Sequence, residues 1–418
     1  MTELQEGQNP ASDASKAGEG VAPKALDDVK DAPGQALANK LDSVSLAAAS
    51  TNLTATPAPL VNSPVLIIGA GLLGASIGLA LTRAGVQVWL EDSSPTGLEL
   101  ACDLGAGQPL SVQPAPVPAL VVVATPPDVA GDVVVHALRN YPGAVVTDVA
   151  SVKEPIAKRV LECVPNLAQR YVGSHPMAGR ERSGAASARA DLFDARPWVL
   201  VATPATSPNA LSAVRQLAID LGALPTQLGA AEHDRAVALI SHTPQLVASA
   251  LAARLEQAPE VALNLAGQGL RDTTRIAASD PQLWAAILNA NRSSVAQVLR
   301  ELRVDIDALI EALEQGRASV GTVVDVMQRG NLGRDRIPGK HGGAPSRYAE
   351  VMVLIPDAPG QLARLFNDVG AAQVNIEDLV IEHSAGQRQG LATLLVAPAA
   401  AVGLRQALEQ QGWKIVAN

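Results

Sequence analysis

Three periodicities along 418 residues predict a doubly wound α/β domain, then an all-helical domain, then a small βαββαβ module. From residue 63 to 228 short apolar runs alternate with helical stretches, as strands buried on both faces of a parallel sheet and their crossovers do. From 231 to 329 Ala- and Leu-rich stretches repeat with a period of about 3.6 and show no strand alternation. From 347 to 418 strand and helix patterns follow in the order of a ferredoxin-like unit.

The elements are read in order. Residues 1–62 are rich in Ala, Asp, Ser, Pro and Lys and predict a mostly disordered tail, with a short transient helix over 37–49. The α/β domain, 63–230, opens with the run Val65–Ile68, which feeds directly into Gly69-x-Gly71-x-x-Gly74 and a helix. That order is the dinucleotide-binding, Rossmann-like fingerprint. Gly69 permits the tight turn, Gly71 lets a pyrophosphate approach the backbone, and Gly74 lets helix and strand pack closely. Leu72 and Leu73 stand between the glycines at the helix N-terminus, where free N–H groups favour an anion. The next strand, 86–90, ends at Glu91-Asp92. Asp92 is placed to take the ribose hydroxyls, which favours NAD over NADP. Further strands are expected at 119–124, 144–148, 171–173, 198–202 and 224–228. Polar clusters follow several of them, at the carboxyl ends where open α/β sheets bind ligands. They are Thr125-Pro126, Ser151 with Lys153, and Ser174-His175-Pro176-Met177-Ala178-Gly179 with Glu181. A histidine at a strand end, between Pro and Gly, is poised for chemistry, and His175 is the candidate base.

In the helical domain, 231–329, the expected helices are 236–256, 281–313 and 318–329, the last ending at Gly330. Ser241 and Gln245 would share a face, with Pro244 kinking the helix. His242 reads equally well as a buried structural histidine. Arg271 and Arg275 are also four apart, with Asp272 between them; one would pair with the acid and the other clamp a carboxylate. The apolar surplus of these helices suits a dimer interface. Residues 330–346 are Gly-, Pro- and Arg-rich and predict a linker. Beyond it come strands 348–355, 376–382, 392–396 and 414–416, with helices 360–369 and 399–410.

Composition narrows the function. Hydrophobic residues make up 48% and aromatics 2%, so the cores are built from Ala, Val, Leu and Ile. A net charge of −9 and a pI of about 5.2 give no basic footprint for nucleic acid. Cys102 and Cys163 are the two cysteines, which predicts no disulfide framework and fits a reducing cytoplasm. The six histidines lack zinc-motif spacing, so no metal is expected. No secretory signal pattern opens the chain, and no run of about 18 apolar residues predicts a membrane span.

Several segments carry a resemblance: GAGLLGASIGLAL, VVVATPP, TDVASVK, GSHPMAGRERSG, HDRAVALISHTPQ and GLRDTTRIAASDPQLWAAI, in this order over residues 64–295. In these the chain resembles the bacterial prephenate dehydrogenases of tyrosine biosynthesis and the related arogenate dehydrogenases. The resemblance implies NAD as cofactor, a homodimer, and oxidative decarboxylation of prephenate to 4-hydroxyphenylpyruvate, or of arogenate to tyrosine. It implies His175 as the base that takes the ring hydroxyl's proton, and Ser151 as its hydrogen-bonding companion near the nicotinamide. Arg275 matches the carboxylate-binding arginine, with Arg271 next in line. Ser241 and His242 would line the substrate site, Glu181 and Trp284 shape it, and Lys153 stand near it or form a structural ion pair. Many relatives have a histidine where this chain has Gln245, a position that would touch the substrate side chain. The C-terminal unit resembles an ACT regulatory domain through Asp357–Leu362 and Val374-Asn375-Ile376. Pro359, Gly360 and Asn375 would then bind an amino-acid effector, with tyrosine the natural candidate. β-Hydroxyacid dehydrogenases share the two-domain plan but use a lysine in the helical part, and no lysine occurs between Lys158 and Lys340. A non-catalytic amino-acid sensor would need neither His175, Arg275 nor the glycine fingerprint.

Overall fold

The computed structural model describes residues 58–110, 117–179, 184–338, 348–383 and 389–416. Most of the expected tail, the helix at 37–49, Glu181 and much of the linker lie outside these residues. Strands β1 (Val65–Ile68), β2 (Val88–Glu91), β3 (Gln108–Pro109), β4 (Leu120–Val123), β5 (Val145–Asp148), β6 (Tyr171–Pro176), β7 (Pro197–Val201) and β8 (Leu224–Gln227) form one sheet. Their order is β3-β2-β1-β4-β5-β6-β7-β8. The sequence reading missed β3, a two-residue strand with no apolar run. The sheet is mixed rather than all parallel, because β7 runs antiparallel to β6. Among the described residues that connection carries only a short 3-10 turn, Ala185–Ser187, so no crossover helix returns the chain in parallel.

Helices α1 (Leu72–Arg83), α2 (Pro95–Asp103), α3 (Pro127–Asn140), α4 (Glu154–Cys163) and α5 (Pro208–Asp220) cover the sheet. Successive strand residues point to opposite faces. Val65, Ile67, Leu120 and Val122 join the core shared with α1 and α5. Leu66, Val121 and Val123 join the core shared with α3 and α4. Each such side chain contributes about 1.5–3 kcal/mol on burial, which is why β1 and β4 are continuous apolar runs. Residues 58–62, expected in the tail, are part of the described fold. Val61 is buried, and the N–H groups of Leu60 and Val61 donate to the Asp220 carboxylate at 3.0 and 2.7 Å.

The helical region holds α6 (Ala230–Val237), α7 (Thr243–Ala253), α8 (Glu260–Asn264), α9 (Gln268–Thr274), α10 (Pro281–Ala290), α11 (Arg292–Gln315) and α12 (Val320–Arg334). A π-helical turn, Ala238–His242, joins α6 to α7. Pro244 has no N–H for the carbonyl four residues earlier, and the wider turn absorbs the defect in place of a simple kink. The helix expected over 281–313 breaks at Asn291, and α12 runs through Gly330 into the expected linker. Glycine inside a helix costs only about 1 kcal/mol. The helix Ala230–Ala253 is long and apolar enough by composition to cross a membrane, with mean hydropathy 1.4, although Glu232, His233, Asp234 and Arg235 interrupt its apolar residues. Its buried His233, Asp234, His242 and Gln245 make hydrogen bonds within the protein, which accounts for it as a folded helix pair.

The C-terminal unit has β9 (Ala349–Pro356), α13 (Gln361–Ala371), β10 (Ile376–His383), β11 (Gln389–Val396), α14 (Pro398–Gln410) and β12 (Lys414–Val416). The strands pair antiparallel in the order β10-β11-β9-β12. Val351, Val353 and Ile355 alternate into a core with Leu365, Val369, Leu404, Leu408 and Trp413.

Candidate active site

Four adjacent parallel strands, β1, β4, β5 and β6, deliver their carboxyl ends to one edge of the sheet. The glycine turn leaves β1, Thr125 follows β4, Ser151 follows β5, and His175 lies at the end of β6. The sheet order reverses between β1 and β4, the crevice in which doubly wound folds bind nucleotides. Gly69 has φ +105, and a Cβ there would lie 2.5 Å from the Ala124 carbonyl oxygen. A Cβ on Gly74 would lie 1.8 Å from the Gly69 oxygen. A Cβ on Gly71, the N-cap of α1, would meet nothing within 4 Å, so this face of the turn is open. The hydroxyls of Thr125 and Ser151 are buried without a hydrogen-bond partner. An open backbone cradle and two unsatisfied hydroxyls on one sheet edge fit a bound dinucleotide. Asp92 sits one residue past β2. Its carboxylate accepts the N–H of Ala70 at 2.6 Å and of Ser94 at 2.7 Å, so it also holds the glycine turn in place.

His175 is half-buried. Its Nδ1 lies 2.9 Å from Nε2 of the buried His233, whose Nδ1 lies 2.7 Å from Asp234 Oδ1. Burial, with the nearby His233, Lys153 and His242, holds the His175 imidazole well below its usual value. Lys153 is fully buried and paired with Asp148, which also accepts the Tyr171 hydroxyl at 2.8 Å. Burial lowers the Lys153 ammonium, while Asp148 offsets part of that shift. Lys153 thus forms an ion pair and also stands close enough to His175 to act on it.

The residues expected to line the substrate site lie on the π turn, α7, α9, the 3-10 turn after it and α10. His242 is buried, 3.1 Å from the Asn291 side-chain nitrogen through its Nδ1, and packs edge-on against Trp284 with ring centroids 6.1 Å apart. Burial drops its imidazole to about 4. Asn291 Nδ2 also donates to the Asp234 carbonyl at 2.7 Å, tying α10 to α6. Ser241 is half-buried in the π turn. Gln245 is buried, and its amide nitrogen donates to the Ile276 carbonyl at 2.8 Å and to Ser279 Oγ at 2.7 Å. It thus supports the turn that carries Arg275, a task the reading of a substrate contact did not foresee. Arg271 and Arg275 do not share one helix: α9 ends at Thr274 and Arg275 opens a 3-10 turn. Asp272 accepts Gln268 Nε2 at 2.7 Å. Both arginines are exposed.

Comparison with known proteins gives this arrangement a relationship. The family description "Prephenate dehydrogenase, nucleotide-binding domain" matches residues 77–225, and "Prephenate dehydrogenase, dimerization domain" matches 229–329. The chain is 36% identical to the "Probable prephenate dehydrogenase NovF" of Streptomyces niveus, over 83% of this chain and 98% of that protein. It belongs to the prephenate dehydrogenase family. Among solved structures, the prephenate dehydrogenase of Aquifex aeolicus in complex with hydroxyphenyl propionate and NAD+ superposes with a TM-score of 0.57 at 28% identity. That match covers 65% of this chain and 99% of the other. The arogenate dehydrogenase of Synechocystis gives 0.53 at 28%, with the same coverage.

Within this member of the prephenate dehydrogenase family, sequence reasoning missed His233, Asp234 and Asn291. The signal for the first two was a helix whose buried face carries His233, Asp234, Val237, Ala238 and His242. Ionisable residues on the buried side of an apolar helix call for partners. A cavity of about 490 Å³ lies beside β6, lined by Met177–Gly179 and by Arg189, Asp191, Leu192, Asp194 and Arg196; none of the expected site residues lines it. In the C-terminal unit a cavity of about 240 Å³ is lined by residues 355–362 with Ile381 and Gly390, so Pro359 and Gly360 face it. Asn375 does not line it; its amide donates to Glu377 at 2.8 Å.

Proposed function

We propose that this protein carries out the NAD-dependent oxidative decarboxylation of prephenate to 4-hydroxyphenylpyruvate. The observation that carries the reading is the gathering of the glycine turn, Thr125, Ser151 and His175 on four neighbouring strand ends. Gly69, Gly71, Leu72, Leu73, Gly74, Asp92, Thr125 and Pro126 hold the dinucleotide, which when bound supplies the hydride acceptor. His175 takes the proton of the ring hydroxyl and returns it as the ring becomes aromatic, so the residue ends as it began. Ser151, whose hydroxyl has no partner within the protein, hydrogen-bonds near the substrate hydroxyl and the nicotinamide. Arg275 binds a substrate carboxylate, on a turn held by Gln245, with Trp284 and the neutral His242 walling the pocket. Arogenate is the second substrate reading, favoured by the arogenate dehydrogenase among the structural neighbours. The amide nitrogen of Gln245 already serves the Arg275 turn, so this side chain brings no cation to the substrate.

The working unit is a homodimer. Over 230–334 few apolar side chains are buried among the described residues, whereas Leu239, Ile240, Leu251, Ile310, Leu313 and Met327 are exposed. Helices with so small a core are completed by a second copy of the same surface. The C-terminal unit is a ferredoxin-like ACT module that takes tyrosine at the cavity beside Pro359 and Gly360. The protein works in the cytoplasm. Reduced-cofactor formation with prephenate and with arogenate, each with NAD and NADP, tests the activity. The His175→Asn variant lowers kcat by about 10²–10⁴ and retains substrate binding. Near wild-type turnover of that variant would remove His175 from the chemistry, and a monomer in analytical ultracentrifugation would overturn the dimer.

A further inference from the structure

The chain of contacts behind His175 fixes which of its nitrogens can act. Asp234 Oδ1 accepts the main-chain N–H of Lys153 at 2.8 Å, and Oδ2 that of Glu154 at 2.9 Å. These are free donors at the N-terminus of α4, where a carboxylate is favoured. Asp234 therefore faces His233 as an acceptor, and the 2.7 Å contact requires a proton on His233 Nδ1. A His233 ring carrying that one proton presents a lone pair at Nε2. The 2.9 Å contact to His175 in turn requires a proton on His175 Nδ1. The lone pair of His175 is left on Nε2. A free histidine in water prefers the other tautomer, with the proton on Nε2, which would leave no base on that nitrogen.

We infer that His233 and Asp234 are positioning residues that hold His175 as its Nδ1–H tautomer, so that Nε2 is the proton acceptor of the reaction. The inference rests on His175 being the base and extends that role to two residues on α6. When Nε2 takes the hydroxyl proton, the charge formed on His175 is shared through the Nδ1–H···Nε2 contact with His233, whose own Nδ1–H faces the Asp234 carboxylate. No atom is lost: the proton on Nε2 returns to the substrate oxygen when the ring becomes aromatic. The other charged or titratable groups near this pair are Lys153 paired with Asp148, and His242 held by Asn291. Because Asp234 also caps α4, this contact joins the helical domain to the sheet at the point where the base is held.

The decisive measurement is the ¹⁵N spectrum of the histidine side chains in the full-length protein, with His175 assigned by its disappearance in His175→Asn. The wild type is expected to show His175 with the proton on Nδ1, and His233→Phe to show it on Nε2. In His233→Phe kcat falls by about 10–100-fold, while KM moves less than about threefold. His233→Gln, whose amide oxygen can still accept the Nδ1–H, recovers part of the loss. A wild-type His175 protonated on Nε2, or an unchanged kcat in a folded His233→Phe protein, overturns the inference. The tautomer is read without turnover, so it separates failure of this inference from failure of the assigned activity, which His175→Asn tests alone.

Discussion

Replacing Gly71 with alanine isolates the cofactor cradle from the fold. Its backbone, φ −73 and ψ −161, suits any L-residue, and an added Cβ meets no protein atom within 4 Å. Alanine is a poorer N-cap than glycine by about 0.5–1 kcal/mol. The loss is offset by about 0.4–1 kcal/mol from the stiffer unfolded chain. Net stability should thus stay within about 1 kcal/mol of wild type. The methyl group instead stands where the pyrophosphate must approach the turn. Steric crowding of a packed contact costs about 1–3 kcal/mol, which weakens NAD binding by about 5–150-fold. Gly74→Ala is the contrast. Its Cβ would fall 1.8 Å from the Gly69 carbonyl oxygen and 3.1 Å from Ile67 Cγ2, so the strand-turn-helix junction must move and the fold loses stability. Thermal melts paired with calorimetric titration of NAD separate the two. If Gly71→Ala bound NAD as tightly as wild type, or melted as early as Gly74→Ala, the phosphate would not cross this turn.

Other consequences can be measured alongside. Asp92→Ser should weaken NAD binding and narrow the preference over NADP, and should also loosen the turn through the lost Ala70 and Ser94 contacts; a wild type favouring NADP would refute the ribose role. The acid limb of kcat/KM should lie below 6.5, since His175 is depressed and stays unprotonated until pH falls through that lowered value; a limb at or above 6.5 in steady-state profiles would contradict this. His242 adds an acid-sensitive stability component. Above pH 6.5 it is neutral folded or unfolded, while between 6.5 and about 4 the unfolded chain binds a proton that the folded protein refuses. Stability should fall with pH across that window, by on the order of 3 kcal/mol at most, and His242→Gln should flatten the denaturant-midpoint profile there. Removing residues 340–418 should leave an active dehydrogenase that tyrosine inhibits less, and equal inhibition of both forms at matched saturation would place tyrosine at the active site.

What the sequence makes legible follows from how local each interaction is. The glycine turn is written in six consecutive residues, and β1 and β4 are apolar because both faces of each strand are buried. Period and spacing suffice to find them. The antiparallel β7 is not legible in this way, because a strand's apolar pattern is the same for either direction of pairing. The proposed base is half legible. His175 stands out at a strand end, yet the contacts from which its reacting nitrogen is inferred come from His233 and Asp234, 58 and 59 residues further along the chain. Asp234 in turn is fixed by main-chain donors of α4, about 80 residues away. Gln245 shows the same limit from the other side. Its departure from the histidine of many relatives invites a reading in terms of substrate charge, but its bonds to Ile276 and Ser279 give it the task of holding the arginine turn. A residue that touches the ligand leaves a motif; a residue that touches the motif leaves only a polar side chain on a buried helix face, and the fold is needed to say what it holds.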